Sequence, residues 1–364
     1  MFGESLRLTV RYELKFRKFQ GGSNMKKENI DAGTMQEEQI RPSALMKDKE
    51  ESLNADVAFL IERKSEWVSV PCPSCGFFTS TLFGDKQGFS FDLCETCGTV
   101  YTNPRPSLGL LHQFYETSLN YKFWNDHIFP ATENVRRERI FRPRAERVLS
   151  SLRLSGVENF SLVEVGAAYG WFCEEMMLAN PKATVIAVEP SSSLAETCRN
   201  KGIETKNVPI ESLELSEQVD AVAAFEVIEH IFSPADFIGH LNRILKPGGT
   251  AFLSCPNLRG FDVEMLGLSS STFQHEHLNY FTPSSITLLL ETHGFNDVQV
   301  STPGELDVDI VRQNIDDFRR GPSQDRFVMQ ILDANDPKLD RAFQRFLAEN
   351  CLSSHMWVIA RKIS

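Results

Sequence analysis

Leu162-Val163-Glu164-Val165-Gly166-Ala167-Ala168-Tyr169-Gly170 is the stretch that decides how this chain folds. A short apolar strand runs into a glycine turn that opens a helix, predicted over 172–179. This is the place where an α/β sheet presents ligands at its carboxyl edge. Glycine at 166 and 170 permits close backbone approach. A dinucleotide would set its pyrophosphate at an uncompensated helix N-terminus, whereas Glu164 puts a carboxylate beside the turn that would repel it. Nineteen residues after Gly170, Thr184-Val185-Ile186-Ala187-Val188-Glu189-Pro190 ends a second strand on an acid placed to accept hydrogen bonds from both hydroxyls of a ribose.

A ligand with ribose hydroxyls and positive charge answers both acids, and S-adenosylmethionine (SAM), with its ammonium and sulfonium groups, is the expected one. Outward from the turn, buried strands alternate with helices. Leu162–Val165, Thr184–Val188, Ala221–Phe225 and Thr250–Ser254 are short apolar runs, and helices are predicted at Phe172–Ala179, Leu194–Lys201, Pro234–Leu245 and Pro283–His293. Thr282-Pro283 opens the last of these and Gly294 closes it. Phe295–Val300 reads as a sixth strand and His355–Ala360 as a seventh. Such alternation implies a parallel sheet with helices on both faces.

Through Val219-Asp220-Ala221-Val222-Ala223-Ala224-Phe225-Glu226-Val227-Ile228-Glu229-His230-Ile231 and Leu245-Lys246-Pro247-Gly248-Gly249-Thr250, the sequence resembles the class I SAM-dependent methyltransferases over roughly residues 145–302. The resemblance implies a Rossmann-like α/β fold with a seven-stranded, mostly parallel sheet. It implies that Glu226 borders the methyl donor and that Lys246–Gly249 turns into the fifth strand. Tyr115, Glu164, Gly166, Ala168, Gly170, Glu189, Pro190 and Glu226 are the expected cofactor-binding positions. Ala168 is a departure, since many relatives have glycine there.

On the N-terminal side, Cys72-Pro73-Ser74-Cys75 and Cys94-Glu95-Thr96-Cys97 stand 18 residues apart. One tetrahedral ion can collect four thiolates from such knuckles. Gly76 and Gly98 follow the pairs and let the backbone turn back so that its amides point at the sulfurs. A closed ligand set implies a structural zinc, and a zinc ribbon over 67–106 is expected. A redox dithiol is the alternative. The other four of the eight cysteines are scattered, which suits a reducing compartment better than a disulfide framework.

Residues 1–66 mix Lys and Glu with few aromatics, form a poor core and are expected to be a flexible tail, with Met25-Lys26-Lys27 an alternative start and an ordered helix over 55–64 the other reading. Residues 107–154 look like a helical connector with a break at Pro143. The methyltransferase domain is placed at 155–364, with an acidic helical insertion at 303–350. A net charge of −11 argues against generic nucleic-acid binding. Apolar runs long enough to span a membrane are absent, and a cytoplasmic protein is expected.

Phe273-Gln274-His275-Glu276-His277-Leu278-Asn279-Tyr280-Phe281 follows the fifth strand and concentrates two imidazoles and a carboxylate in three residues. Methyl transfer is an in-line displacement, so the enzyme must position the acceptor and remove its proton, work for which His and Glu are suited. His275, Glu276 and His277 are therefore the catalytic candidates, with a loop-capping network as the alternative. His230 reads as a helix-start polar contact.

The stretch resembles the sugar C-methyltransferases, which also carry a zinc-binding N-terminal domain and a His-Glu-His segment followed by Tyr-Phe. Tyr115, Trp124 and His127 extend that likeness. It implies that Glu276 and His277 are the acid/base pair, that Tyr115 lies over the cofactor pocket, and that Gln274 replaces a catalytic tyrosine.

The expected function is SAM-dependent methylation of a small molecule, a sugar or nucleotide-sugar first. O-methylation of a quinone-like hydroxyl compound, RNA methylation through the arginines at 136, 137, 139, 142 and 144, and non-catalytic SAM binding are the alternatives. Oligomeric state is left open.

Overall fold

The computed structural model describes residues 35–314 and 326–364. The segment around Met25 and residues 315–325 of the expected insertion lie outside them.

The described strands are, in chain order, β1 (Trp67–Val68), β2 (Ser80–Lys86), β3 (Phe89–Cys94), β4 (Val100–Thr102), β5 (Arg105–Pro106), β6 (Ser161–Val165), β7 (Thr184–Val188), β8 (Glu204–Lys206), β9 (Val219–Phe225), β10 (Leu245–Pro256), β11 (Asn279–Tyr280), β12 (Phe295–Ser301) and β13 (His355–Lys362). Seven of them make one sheet in the order β12-β13-β10-β9-β6-β7-β8. β13 runs antiparallel to both its neighbours, and the pairings among β6 to β10 are parallel. This is the seven-stranded, mostly parallel α/β sheet that the sequence predicts. Its central strands are apolar along their length because helices cover both faces. Val163, Val222 and Leu253 enter one core with Phe237, Leu241 and Leu289, while Leu162, Ala221 and Phe252 enter the other with Val148, Phe172 and Met176. Successive side chains alternate between the two faces. β8 went unread because Glu204-Thr205-Lys206 is a polar edge strand with no apolar run.

A second sheet, ordered β11-β4-β3-β2, holds the cysteine knuckles. β11 comes from the segment just after His277, so the sheet is shared between the N-terminal region and the α/β domain. Arg105, fully buried, fastens the two: Nη1 donates to Phe232 O at 3.0 Å and Asn279 Oδ1 at 3.2 Å, and Nη2 to Leu278 O at 3.1 Å.

Between residues 35 and 66 the expected tail is instead helical, at Glu37–Ile40, Ser43–Asp48 and Glu50–Ile61. Its apolar residues are too few for a core of their own but find cover elsewhere, Leu60 packing with Phe89, Phe114 and Tyr280. Asp56 accepts from Ser118 Oγ at 2.5 Å, Leu119 N at 2.9 Å and Asn120 N at 3.1 Å, capping the helix that begins at Leu119.

From Leu119 to Leu154 the connector is a continuous helical run containing two wide π turns, Trp124–Ile128 and Arg137–Phe141. The expected break at Pro143 is thus a widening. Pro130 and Pro143 each follow a π turn, which accommodates a residue that lacks an N–H and crowds the preceding carbonyl. The C-terminal helices Asp307–Gln313, Arg326–Ala334 and Pro337–Glu349 pack through Val311, Leu332 and Leu347 onto Phe261 and Leu266. Among the described residues no helix is long and apolar enough to cross a membrane.

Candidate active site

The turn after β6 places three residues of five in the left-handed region, Gly166 (φ 73°), Ala168 (φ 47°) and Gly170 (φ 69°). A Cβ on Gly166 would come within 2.8 Å of Val227 Cγ2, and one on Gly170 within 2.6 Å of Ile203 Cδ1. What approaches these glycines is the protein's own packing. Ala168 holds a conformation that alanine adopts only at a cost. Its N–H donates to Glu189 Oε2 at 2.8 Å, and Ser191 N donates to Oε1 at 2.9 Å. The acid at the end of β7 is thereby fixed beside the turn, and each oxygen keeps a lone pair for a ribose hydroxyl. Asn207 Nδ2 bonds the carbonyls of Glu189 and Pro190 and holds that strand end.

Glu164 is buried and accepts from Cys173 Sγ at 3.0 Å. Burial pushes its carboxyl up to about 8, with Cys173 and Arg144 opposing and Glu189 adding to the rise. A carboxyl so short of positive charge fits a cationic ligand. Glu226 lies one residue past β9 at φ 55° and has the opposite surroundings. Burial would raise it, but His355 Nε2 at 2.8 Å, Arg144 Nη2 at 3.3 Å and Ser254 Oγ at 2.5 Å outweigh this and hold it far below the carboxylate range. Glu226 in turn raises His355. Neither Arg144 nor His355 was picked out as a site residue from sequence. Arg144 was hidden in a run of arginines, and His355 reads as an ordinary strand start.

The arginine run divides. Arg137 pairs with Glu174 and Glu175, and Arg142 with Glu175, each at 3.1 Å, while Arg136 and Arg144 turn inward. The presented basic patch on which RNA binding depended is in part neutralised.

In the His-Glu-His segment the three residues diverge. His275 is buried against Phe114, its Nε2 3.5 Å from Glu276 Oε1 and 3.9 Å from Asp56 Oδ2. Glu276 accepts from Asn120 Nδ2. His277 donates from Nδ1 to Thr272 O at 2.8 Å, so Nε2 carries the lone pair and takes the Gln274 amide at 2.9 Å. Burial and the neighbouring His230 hold it neutral.

His230 stands 4.7 Å from the His277 ring and bonds Glu276 O through Nδ1 at 3.0 Å, which leaves Nε2 basic and without a partner among the described residues. Burial lowers its pKa as well. Two histidines of this group keep ring nitrogens unbonded among the described residues, the buried His275 at Nδ1 and Nε2 and the half-buried His230 at Nε2, and the accessible one belongs to His230, which the sequence suggested only as a polar contact. Tyr115 packs on Phe114 and Tyr121, and burial, with the charge of Glu276 adding to it, raises the pKa of its hydroxyl. Glu229, His230 and His277 bring donor atoms within 4.8 Å of one another, but both His277 nitrogens already have partners.

The four cysteines of the knuckles also gather within 4.8 Å, with Sγ···Sγ distances of 3.5 Å for Cys72–Cys97 and Cys75–Cys94. Zinc–thiolate bonds of about 2.3 Å require sulfurs about 3.8 Å apart in a tetrahedron, so the donor set fits a zinc ion. Gly76 and Gly98, both at φ 75°, donate back to Cys72 O and Cys94 O and form the turns.

A family profile described as a methyltransferase domain matches residues 135–300. The mitochondrial ubiquinone biosynthesis O-methyltransferase of Dictyostelium discoideum is 31% identical over 117 residues, 28% of this chain and 36% of that protein. The ubiquinone biosynthesis O-methyltransferase of Bradyrhizobium sp. (strain ORS 278) is 31% identical over 161 residues, 40% of this chain and 61% of its own. The C-methyltransferase NovU of Streptomyces niveus is 29% identical over 158 residues, 41% of this chain and 36% of its own. The chain thus spans less than two thirds of the length of each of these three relatives.

Proposed function

We propose that this chain, whose residues 135–300 carry a methyltransferase domain, is an enzyme that moves the methyl group of SAM to a small-molecule acceptor. The observation that carries the reading is the pair of acids at the ends of adjacent parallel strands, Glu164 in need of a cation and Glu189 held by two amides beside the turn. Bound SAM supplies an electrophilic methyl group on a sulfonium. Glu164 and Glu226 provide the negative charge that holds it, and Glu189 orients the ribose. His230 accepts the acceptor's proton at Nε2, with the Glu276 carbonyl fixing the tautomer. Glu276 and His277 act by holding this imidazole in place.

The sequence pointed first to a sugar-like acceptor. Two of the three relatives are named for O-methylation in ubiquinone biosynthesis, and we take a hydroxyl compound of quinone-like type as the leading acceptor. Carbon methylation of a sugar stays as the second reading, supported by the likeness to NovU and by the cysteine knuckles. The four-cysteine cluster holds a structural zinc. Eight free thiols suit a reducing compartment such as the cytoplasm.

Incubation with labelled SAM and a panel of catechols and nucleotide-sugars, read by mass spectrometry, tests the function. Methylation of a panel member, lowered by about 100-fold or more in His230→Ala, supports it. A chain that binds SAM but methylates neither class argues for the non-catalytic alternative.

A further inference from the structure

Trp124, the first residue of the π turn Trp124–Ile128, has two cations beside its indole: Lys49 Nζ lies 5.3 Å from the ring centroid and the Arg136 guanidinium 5.7 Å. Lys49 is 8% exposed, and among the described residues its ammonium makes no hydrogen bond or ion pair. Arg136 bonds only neutral acceptors, Thr132 Oγ1 at 2.8 Å and Ile40 O at 2.6 Å. Arg41 adds a third positive charge nearby, though it is paired with Glu37 at 2.9 Å. Burying like charges together is costly unless an anion joins them. Burial and Arg41 pull Lys49 down, with Glu276 opposing. Arg136 is lowered by burial and by Arg41 and Arg144.

The location connects this cluster to both halves of the active site. Asn125, next to Trp124, accepts from the hydroxyl of Tyr169 in the glycine turn at 2.6 Å. On the other side, the acid whose field reaches Lys49 is Glu276, the residue whose carbonyl orients His230. The donor's charges are answered elsewhere, by Glu164 and Glu226. A widened helical turn is also a common device where a helix serves a ligand.

We propose that Lys49 and Arg136, arranged about Trp124, bind an oxyanion carried by the methyl acceptor, a carboxylate or a phosphate. This rests on the methyl-transfer reading above, and it makes the acceptor a charged small molecule. A neutral quinone would bring neither cation an anionic hydrogen-bond partner. The anion at Lys49 and Arg136 anchors the acceptor, and its reacting atom lies toward His230.

The test is titration of the full-length protein, first with S-adenosylhomocysteine (SAH) and then, once SAH-loaded, with pyrophosphate, uridine diphosphate and 3,4-dihydroxybenzoate. Saturable, salt-sensitive binding of at least one probe is expected, weakened about tenfold or more in Lys49→Gln and in Arg136→Gln and restored in Lys49→Arg, with SAH affinity unchanged. Preference for the diphosphate marks a phosphorylated acceptor, and preference for the benzoate a carboxylated one. SAH binding without binding of any probe, or probe binding untouched by the substitutions, overturns the anion site alone. Failure of SAH to bind overturns the methyl-transfer reading and the anion site with it. Variants are compared only where their circular dichroism matches the parent. If Arg136→Gln does not fold, Lys49→Gln and Lys49→Arg decide the matter.

Discussion

Glu164 and Glu226, both at the carboxyl edge of the sheet, are held in opposite protonation states by their surroundings. Burial raises the first to about 8, and His355, Arg144 and Ser254 overcome burial to depress the second. Free protein keeps Glu164 protonated below about pH 8, whereas a bound cation favours the carboxylate. Binding of SAM then releases a proton. Affinity should rise with pH, by up to about tenfold per unit below that pKa, and level off above it. Titrations from about pH 6 to about pH 9 check this, and Glu164→Gln should bind more weakly with a flat pH profile. A parent profile as flat as the variant's would remove Glu164 from the donor site. The two acids and the glycines were legible because the strand and turn fix them locally. His230, Arg144 and His355 were not, because their roles come from residues 46, 82 and 129 positions away.

At the scale of elements, the strands with apolar runs and the helix opened by Thr282-Pro283 were readable from sequence, and Thr282 does accept from Ser285 N. The polar edge strand β8, the two-residue β11 and the π turns were not, since each depends on what it packs against. β11 has functional weight. It pairs with β4 in the sheet that carries the knuckles, and it leaves the His-Glu-His segment after one residue. Chelation of zinc should therefore loosen that sheet and displace His277 and His230 while sparing the glycine turn. Most methyl transfer should be lost, with SAH affinity retained within about twofold because the sites are separate. Purified protein should contain close to one zinc per chain. Activity that survives complete removal of the metal would contradict the coupling.

Across the whole molecule, the N-terminal helices, the sheet that carries the cysteine knuckles and the C-terminal helices pack around the large sheet. Sequence composition suggested a tail before residue 67, because Lys and Glu dominate there and the apolar residues are few. The structure buries those few in a core that belongs to the ribbon, with Leu60 fully enclosed. Leu60→Ala should cost about 2–5 kcal/mol in denaturant unfolding. A tail residue would show no change, and that result would return 35–66 to solvent. Asp56 and Lys49 on the same segment reach Ser118 and Trp124 of the helical connector, so the proposed acceptor site, like stability, draws on a part of the chain that its composition made look dispensable. The methyl-transfer reading stands on a SAM site at the carboxyl edge of the large sheet. Calorimetric titration of the purified protein with SAM and, separately, with NAD tests it most directly. Saturable binding of SAM and none of NAD is the predicted result, and binding of NAD, or of neither, would contradict it.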